Sequence, residues 1–342
     1  MPERIPLILD VDTGIDDSLA LLYACASEEA DLRAVTCVSG NAAAADVERN
    51  TRAVLELAGR GDVEVALGRQ VPLVRPLEIT PETHGPRGIG YAELPEPRSG
   101  LSERHAVDLL IDEARAHPGE ITLVTLGPVT NLAVAVLREP ELPRLFRRWV
   151  LMGGSYRSRG NTAPTSEWNI HCDPDAAKVC FTAWAGAELR PVAVGLDVTE
   201  RPKLTPDHMA ALALRAGSTP DPSLDESKGS VASNPIVRFL ADALRFYMEF
   251  HSRYDGFYGA FIHDPLAVAA ALDPSLIRTE AVPVDVELGG TLTTGETVTD
   301  WRRVWGRPPN VDVAVEADAE EFLRRFVDRV GGLAATRTNV AI

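Results

Sequence analysis

A short apolar strand runs directly into a cluster of acids. In Ile5-Pro-Leu-Ile-Leu-Asp10-Val-Asp12-Thr-Gly-Ile-Asp16-Asp17, four carboxylates fall within eight positions, and an apolar helix follows at once through Ser18-Leu-Ala-Leu-Leu. Like charges crowded into a partly desolvated junction raise one another's pKa, and they persist as anions only where something positive offsets them. No Lys or Arg lies between Arg4 and Arg33. Asp16 and Asp17 fall in the first helical turn, where the macrodipole favours each by about 0.3–1 kcal/mol, too little to hold four. A hard divalent cation, which takes oxygen ligands and about 6–8 of them if it is calcium, is the remaining partner. The alternative is a solvated acidic loop with Asp16 or Asp17 as helix cap. Gly14 is expected to supply the tight strand-to-helix turn.

The 342 residues, 45% of them hydrophobic, suffice for one large α/β domain or two ordinary ones. A formal net charge of −16 argues against nucleic acid or an anionic membrane as partner and favours a small neutral ligand. No apolar run approaches the roughly 18–20 residues that span a bilayer, and the first strand leaves no room for a signal peptide, so a cytoplasmic location is expected. Cys25, Cys37, Cys172 and Cys180 lack C-x-x-C spacing, which predicts buried thiols rather than a disulfide framework or a zinc site.

Short apolar runs alternate with longer helical patterns, the signature of βαβ units and a mainly parallel sheet. Strands are predicted at 5–12, 32–39, 121–126, 149–153 and 190–197. Helix starts are predicted at Pro128, Asp173-Pro174, Thr205-Pro206 and Asp264-Pro265. A helix over 102–116 should stop at His117-Pro118-Gly119. Residues 217–233, rich in Ser, Pro, Gly and Asp, read as a long loop or lid, and 80–99, carrying His84-Gly85, as a polar surface insertion. Short strands are expected within 282–315. The last helix, 318–330, should bury Phe322, Leu323, Phe326 and Val330.

In open parallel sheets ligands bind beyond the carboxyl ends of the strands. The first strand is followed there by Asp10, Asp12, Asp16 and Asp17, the second by Gly40-Asn41, the third by Leu126-Gly127-Pro128, and the fourth by Gly153-Gly154 and then Asn161, Glu167 and Asn169; His263-Asp264 opens a later helix. Acids, amides and one histidine on one edge suit a metal and a sugar-like ligand with several hydroxyls. Singly, Asn41 could be a turn residue, Glu167 a surface acid, His263 a core side chain and Asp264 a helix cap.

These islands resemble the nucleoside hydrolase family, also called inosine-uridine preferring nucleoside hydrolases. The resemblance runs through Asp10-Val-Asp12-Thr-Gly-Ile-Asp16-Asp17, Ser39-Gly40-Asn41, His84-Gly85, Leu126-Gly127-Pro128-Val129-Thr130-Asn131, Met152-Gly153-Gly154, Gly160-Asn161, Glu167-Trp168-Asn169, Asp173-Pro174 and His263-Asp264-Pro265. Thr13 departs from it, since many members carry proline there. The resemblance implies a single Rossmann-like α/β domain over 1–342, with a mainly parallel central sheet flanked by helices, and hydrolysis of the N-glycosidic bond of ribonucleosides; a purine or broad base preference is expected because of His263. It implies Ca2+ held by Asp12, Asp17, the Leu126 carbonyl and Asp264, with Asp12 as general base. Asp16 and Asn169 would take the 2′-hydroxyl, Asp264 the 3′-hydroxyl, and Asn161 with Glu167 the 5′-hydroxyl; Asn41 would lie beside the diol and Met152 against the ribose. It also implies a homodimer or homotetramer.

The departing base needs a proton, a task suited to a histidine, and His263 is the candidate. His84 could close over the base or ribose, or be a surface-loop residue without a role. Tyr254, Phe257, Tyr258 and Phe261 could stack on a base, with core packing favoured for each. Two alternatives remain: a phosphatase of the haloacid dehalogenase type, whose motif wants Thr or Val where Gly14 stands, and a non-catalytic nucleoside- or ribose-binding protein.

Overall fold

Twelve strands punctuate the computed structural model, which describes residues 4–219 and 229–337. They are β1 Ile5–Val11, β2 Ala30–Cys37, β3 Glu64–Leu67, β4 Thr122–Thr125, β5 Arg148–Met152, β6 Val192–Val194, β7 Lys203–Leu204, β8 Ala260–Phe261, β9 Ile277–Val282, β10 Val284–Val286, β11 Thr297–Thr299 and β12 Val311–Ala317. Eight of them form one sheet in the order β3-β2-β1-β4-β5-β6-β12-β9. All neighbours are parallel except β12 and β9. The short pairs β7–β8 and β10–β11 are antiparallel and stand apart. The expected single α/β domain with a mainly parallel sheet is what the chain forms.

Successive strand residues face opposite sides, so Leu7, Leu9 and Val11 enter one core cluster and Ile8 the other. The first cluster is covered by the helices Ile15–Ala26, Pro235–Tyr254, His263–Leu272 and Ala319–Ala335, the second by Ala106–Ala116, Thr130–Arg138 and Pro174–Ala183. Every residue of His263–Leu272 is buried, because this helix is sandwiched rather than laid on the surface. The terminal helix buries Phe322, Leu323, Phe326 and Val330 as expected.

Several local expectations need correction. Strands 121–126 and 190–197 shrink to four and three residues, and β3 had no prediction because its four residues are too short to show periodicity. The helix after Pro128 starts at Thr130, and the predicted 102–116 helix starts at Ala106. Helix His263–Leu272 begins one residue before Asp264, so Asp264 sits in the first turn and is not a cap. Gly14 has φ −93°, open to any residue; its lack of a Cβ matters because His84 and Asn41 press against it. His84 is not on a surface loop: it ends the short helix Pro81–His84 and is buried. Tyr254 and Tyr258 are exposed rather than core. Of the predicted loop 217–233, residues 220–228 lie outside the described residues.

The chain runs outward from β1 through β2 to β3, then returns to β4 on the other side of β1 and runs outward again. The crevice where this direction reverses is where open α/β sheets bind ligands. Asp12 leaves β1 and Leu126 leaves β4 side by side at that point, joined by the Leu126 N–H donating to Asp10 O at 2.7 Å.

Candidate active site

Asp12 is threaded between two glycines. A Cβ on either Gly40 or Gly127 would run into its carboxylate, so the Ser39-Gly40-Asn41 and Leu126-Gly127-Pro128 islands leave room for one side chain. The Asn41 N–H donates to Asp12 Oδ2 at 2.7 Å. Asp17 is held as firmly: it accepts from the N–H groups of Asp12 (3.1 Å) and Gly14 (2.8 Å) and from Asn41 Nδ2 (3.1 Å). Asp17 therefore does cap the helix, but within a buried cluster and not in a solvated loop.

Helix His263–Leu272 brings Asp264 to the same point, and carboxylate oxygens of Asp16, Asp17 and Asp264 lie within 4.8 Å of one another. All four acids are buried. Burial, reinforced by the charge of Asp17, pushes Asp16 up to about 8 and Asp12 well above the usual carboxylate range. Burial and the neighbouring Asp16, Asp17 and Asp12 do the same to Asp264. Asp12 Oδ1 and Asp16 Oδ1 are buried without a hydrogen-bond partner among the described residues. An all-oxygen set with orphaned carboxylate atoms is the chemistry of a hard divalent cation site, and these residues fit one.

Asp10, the fourth acid of the opening cluster, belongs elsewhere. Its Oδ1 accepts from Thr36 Oγ1 (2.5 Å) and Asn131 Nδ2 (2.8 Å), and burial pushes it up to about 7. Asn131 also donates to Cys37 O and accepts from Arg69 N, so it ties the ends of β1 and β2 to the chain after β3.

A cavity of about 480 Å³ opens over the acids, within the roughly 300–1,000 Å³ typical of small-molecule sites. Asp16, Asn41, His84, Leu126, Met152, Asn161, Glu167, Asn169, His263 and Asp264 all line it, with Asp12 and Asp17 fully buried behind. Asn169 Nδ2 donates to the carbonyls of Leu126 (2.6 Å) and Met152 (3.2 Å). Glu167 caps the helix Trp168–Cys172, accepting from Asn169 N and Ile170 N as well as Gly154 N, and Asn161 Oδ1 accepts from Trp168 N. The opposite wall comes from the helix Pro235–Tyr254, with Tyr247, Phe250, His251 and Tyr254, and from Asp255, Phe261 and Glu200. None of these was singled out from sequence except Tyr254 and Phe261; a His four residues before an Asp at a helix end was the available signal.

The sequence profile of the family described as inosine-uridine preferring nucleoside hydrolase matches residues 7–324. The chain belongs to the nucleoside hydrolase family. It is 38% identical to an inosine-uridine preferring nucleoside hydrolase of Leishmania major over 96% of this chain and 97% of that one. It is 37% identical to a pyrimidine-specific ribonucleoside hydrolase of Enterobacter sp. (strain 638), over 95% and 97%. Among solved structures it resembles a purine-preferring ribonucleoside hydrolase from Gardnerella vaginalis, with TM-score 0.86 and 33% identity over 97% of this chain and 99% of that one. As a nucleoside hydrolase it is an N-ribosyl hydrolase, and the phosphatase alternative falls. Among its described residues no helix is long and apolar enough to cross a membrane.

Proposed function

We propose that this protein, acting as one catalytic domain over 1–342, is a cytoplasmic, calcium-dependent hydrolase of ribonucleosides with purine or broad base preference, assembled as a homodimer or homotetramer. The observation that carries the reading is the convergence of Asp16, Asp17 and Asp264, with Asp12 bonded to Asp17 behind them, under a cavity of about 480 Å³. Asp12, Asp17, the Leu126 carbonyl and Asp264 would hold the cation, which when bound supplies Lewis acidity that lowers the pKa of water.

Asp12 is the general base. Asn41 N occupies its Oδ2, which leaves the orphaned Oδ1 to take a proton from the attacking water. Asp16 and Asn169 receive the 2′-hydroxyl, Asp264 the 3′-hydroxyl, and Asn161 with Glu167 the 5′-hydroxyl; Asn41 stands beside the diol and Met152 packs on the ribose. Cleavage at the anomeric carbon builds positive charge on the ring, and the buried carboxylates stabilise it without reorganising. The base is left facing His84, Tyr247, His251 and His263, and His263 supplies the proton that the departing base needs.

Purified protein given inosine, uridine, adenosine, guanosine and cytidine separately should release free base and reducing sugar. A strong chelator should abolish turnover, and added calcium restore it. Nucleoside binding without release of base would leave the non-catalytic alternative standing. Light scattering of the purified protein tests the assembly, and cell fractionation its compartment.

A further inference from the structure

The short helix Leu196–Thr199 follows β6 and leads into Glu200 on the cavity wall, yet the ribose chemistry uses none of its side chains. Its place is set by Gly195, where a Cβ would meet Gly154 O at 2.6 Å and the Tyr156 ring at 2.7 Å, so only glycine lets the end of β6 close on the end of β5. The Leu196 N–H then donates to Gly154 O at 3.0 Å. Asp197 ties the turn to the chain after β5, accepting from the N–H groups of Tyr156 (2.8 Å), Arg157 (2.7 Å) and Ser158 (3.0 Å). Leu196, Val198 and Thr199 are buried. Fastened by main chain and by a carboxylate, the turn has little freedom to shift.

What this turn holds is a histidine. The ring of His263 lines the cavity, and its Nδ1 lies 2.8 Å from Oγ1 of Thr199, a residue 64 positions earlier in the chain. With Nδ1 occupied, Nε2 is the ring nitrogen left for a substrate. The other two cavity histidines are held differently: His84 Nδ1 accepts from the Ile15 N–H at 3.1 Å, and His251 Nδ1 lies 2.7 Å from the Asp255 carboxylate. A main-chain N–H only donates and a carboxylate brings a charge. A hydroxyl is neutral and can accept from Nδ1–H, so it keeps the ring oriented whether or not Nε2 carries its proton.

We propose that Thr199 is a positioning residue for the leaving-group step: its hydroxyl fixes the His263 ring so that Nε2 faces the departing base. As the C1′–N bond breaks, its electron pair passes to the base nitrogen, which takes the Nε2 proton; the imidazolium becomes imidazole, and Nδ1–H stays on Thr199 Oγ1. The attacking water gives its hydroxyl to C1′ and its other proton to Asp12. Proton exchange with solvent restores both residues. Thr199 is fully buried behind the ring and acts through His263 alone. The assignment rests on the hydrolase reading above, with His263 as its proton donor.

A bond that only satisfied a buried ring would leave a different signature. His263 runs directly into Asp264 on the cavity floor, so support lost there would loosen the floor and slow every substrate alike. A bond that steers the ring matters only where a proton is handed over. There the tolerance is narrow, since a misplacement of about 1 Å costs about 10²-fold in rate.

The experiment compares inosine with 4-nitrophenyl β-D-ribofuranoside, whose phenolate departs without a proton. In Thr199→Val, which keeps the shape and removes the hydroxyl, the ratio of kcat on inosine to kcat on the riboside should fall by about 10–100-fold, and Thr199→Ser should bring it back to within about threefold of wild type. In a His263→Ala background, Thr199→Val should lower the inosine kcat by less than about twofold, because no ring remains to be placed. Thr199→Ala makes the same comparisons if the valine variant does not fold. Equal losses on both substrates, an unchanged ratio, no recovery with serine, or a full further loss in the His263→Ala background overturns the assignment. A wild-type ratio in His263→Ala removes His263 as donor, and wild-type protein inactive on both substrates overturns the hydrolase reading itself; the role of Thr199 falls with either.

Discussion

Asp12 owes its place to groups from three chain segments: Gly40 and Asn41 after β2, Gly127 after β4, and Asp17 across the turn. Asp12→Asn keeps this packing and removes the proposed general base, so turnover should fall by orders of magnitude while circular dichroism and the denaturant midpoint stay near wild type. A variant with undiminished kcat would remove Asp12 from the mechanism. The same acids predict an unusual pH response in the cation-free protein. Asp16 moves from an ordinary 3.8 to about 8 and Asp10 from 3.8 to about 7, chiefly through burial. A carboxyl with a raised folded-state pKa binds its proton more tightly when folded, so its contribution to stability is complete below about 4 and is lost as pH climbs to about 8. Thermal melts in chelator should therefore show a lower Tm at pH 8 than at pH 5. Added calcium, which competes with those protons, should raise Tm more at pH 8 than at pH 5. Equal calcium shifts at both pH values would contradict that reading of the cluster.

The wall of the pocket depends on how the helix Pro235–Tyr254 is anchored. Asn234 caps it, its Oδ1 accepting from Ile236 N and Val237 N, while its Nδ2 donates to Ala334 O of the terminal helix at 2.7 Å. Asn234→Ala removes the cap and one of the bonds to Ala334 O, which keeps its main-chain partner Arg337 N, a loss of about 1–2 kcal/mol. Urea unfolding should show a lower midpoint with unchanged slope. Elements with their own local signals were legible in the sequence: β1 from its apolar run, helix Pro174–Ala183 from Asp173-Pro174, and the terminal helix from its apolar stripe. β3 was not, because Glu64–Leu67 is held by its pairing with β2 and not by its own pattern. Within the site, Asp17 and Asp264 could be named from their motifs. The contact of His251 with Asp255 was marked only by a spacing of four near a helix end, which does not say that this turn meets a cavity.

The whole molecule gathers residues from opposite ends of the chain onto one crevice, so ligand and fold are thermodynamically linked. A cation that binds only the folded state stabilises it by RT ln(1 + [L]/Kd), about 2.7 kcal/mol at a hundredfold excess over Kd. Titrating calcium into chelator-treated protein should raise Tm progressively, and Asp264→Asn should blunt that rise although the residue lies some 250 positions from the opening acids. The strand-to-helix acid cluster, the alternation of strands and helices, and the motif islands are local facts, written in spacing and residue type, and they determined the family, the parallel sheet and the principal acids. That Asp10 turns away to Thr36 and Asn131, that His84 is buried against Gly14, and that His251 stands on a carboxylate at the pocket wall were decided by packing. Two side chains distant in sequence meet, or fail to meet, according to how whole elements stack, and that is a property of the folded chain alone.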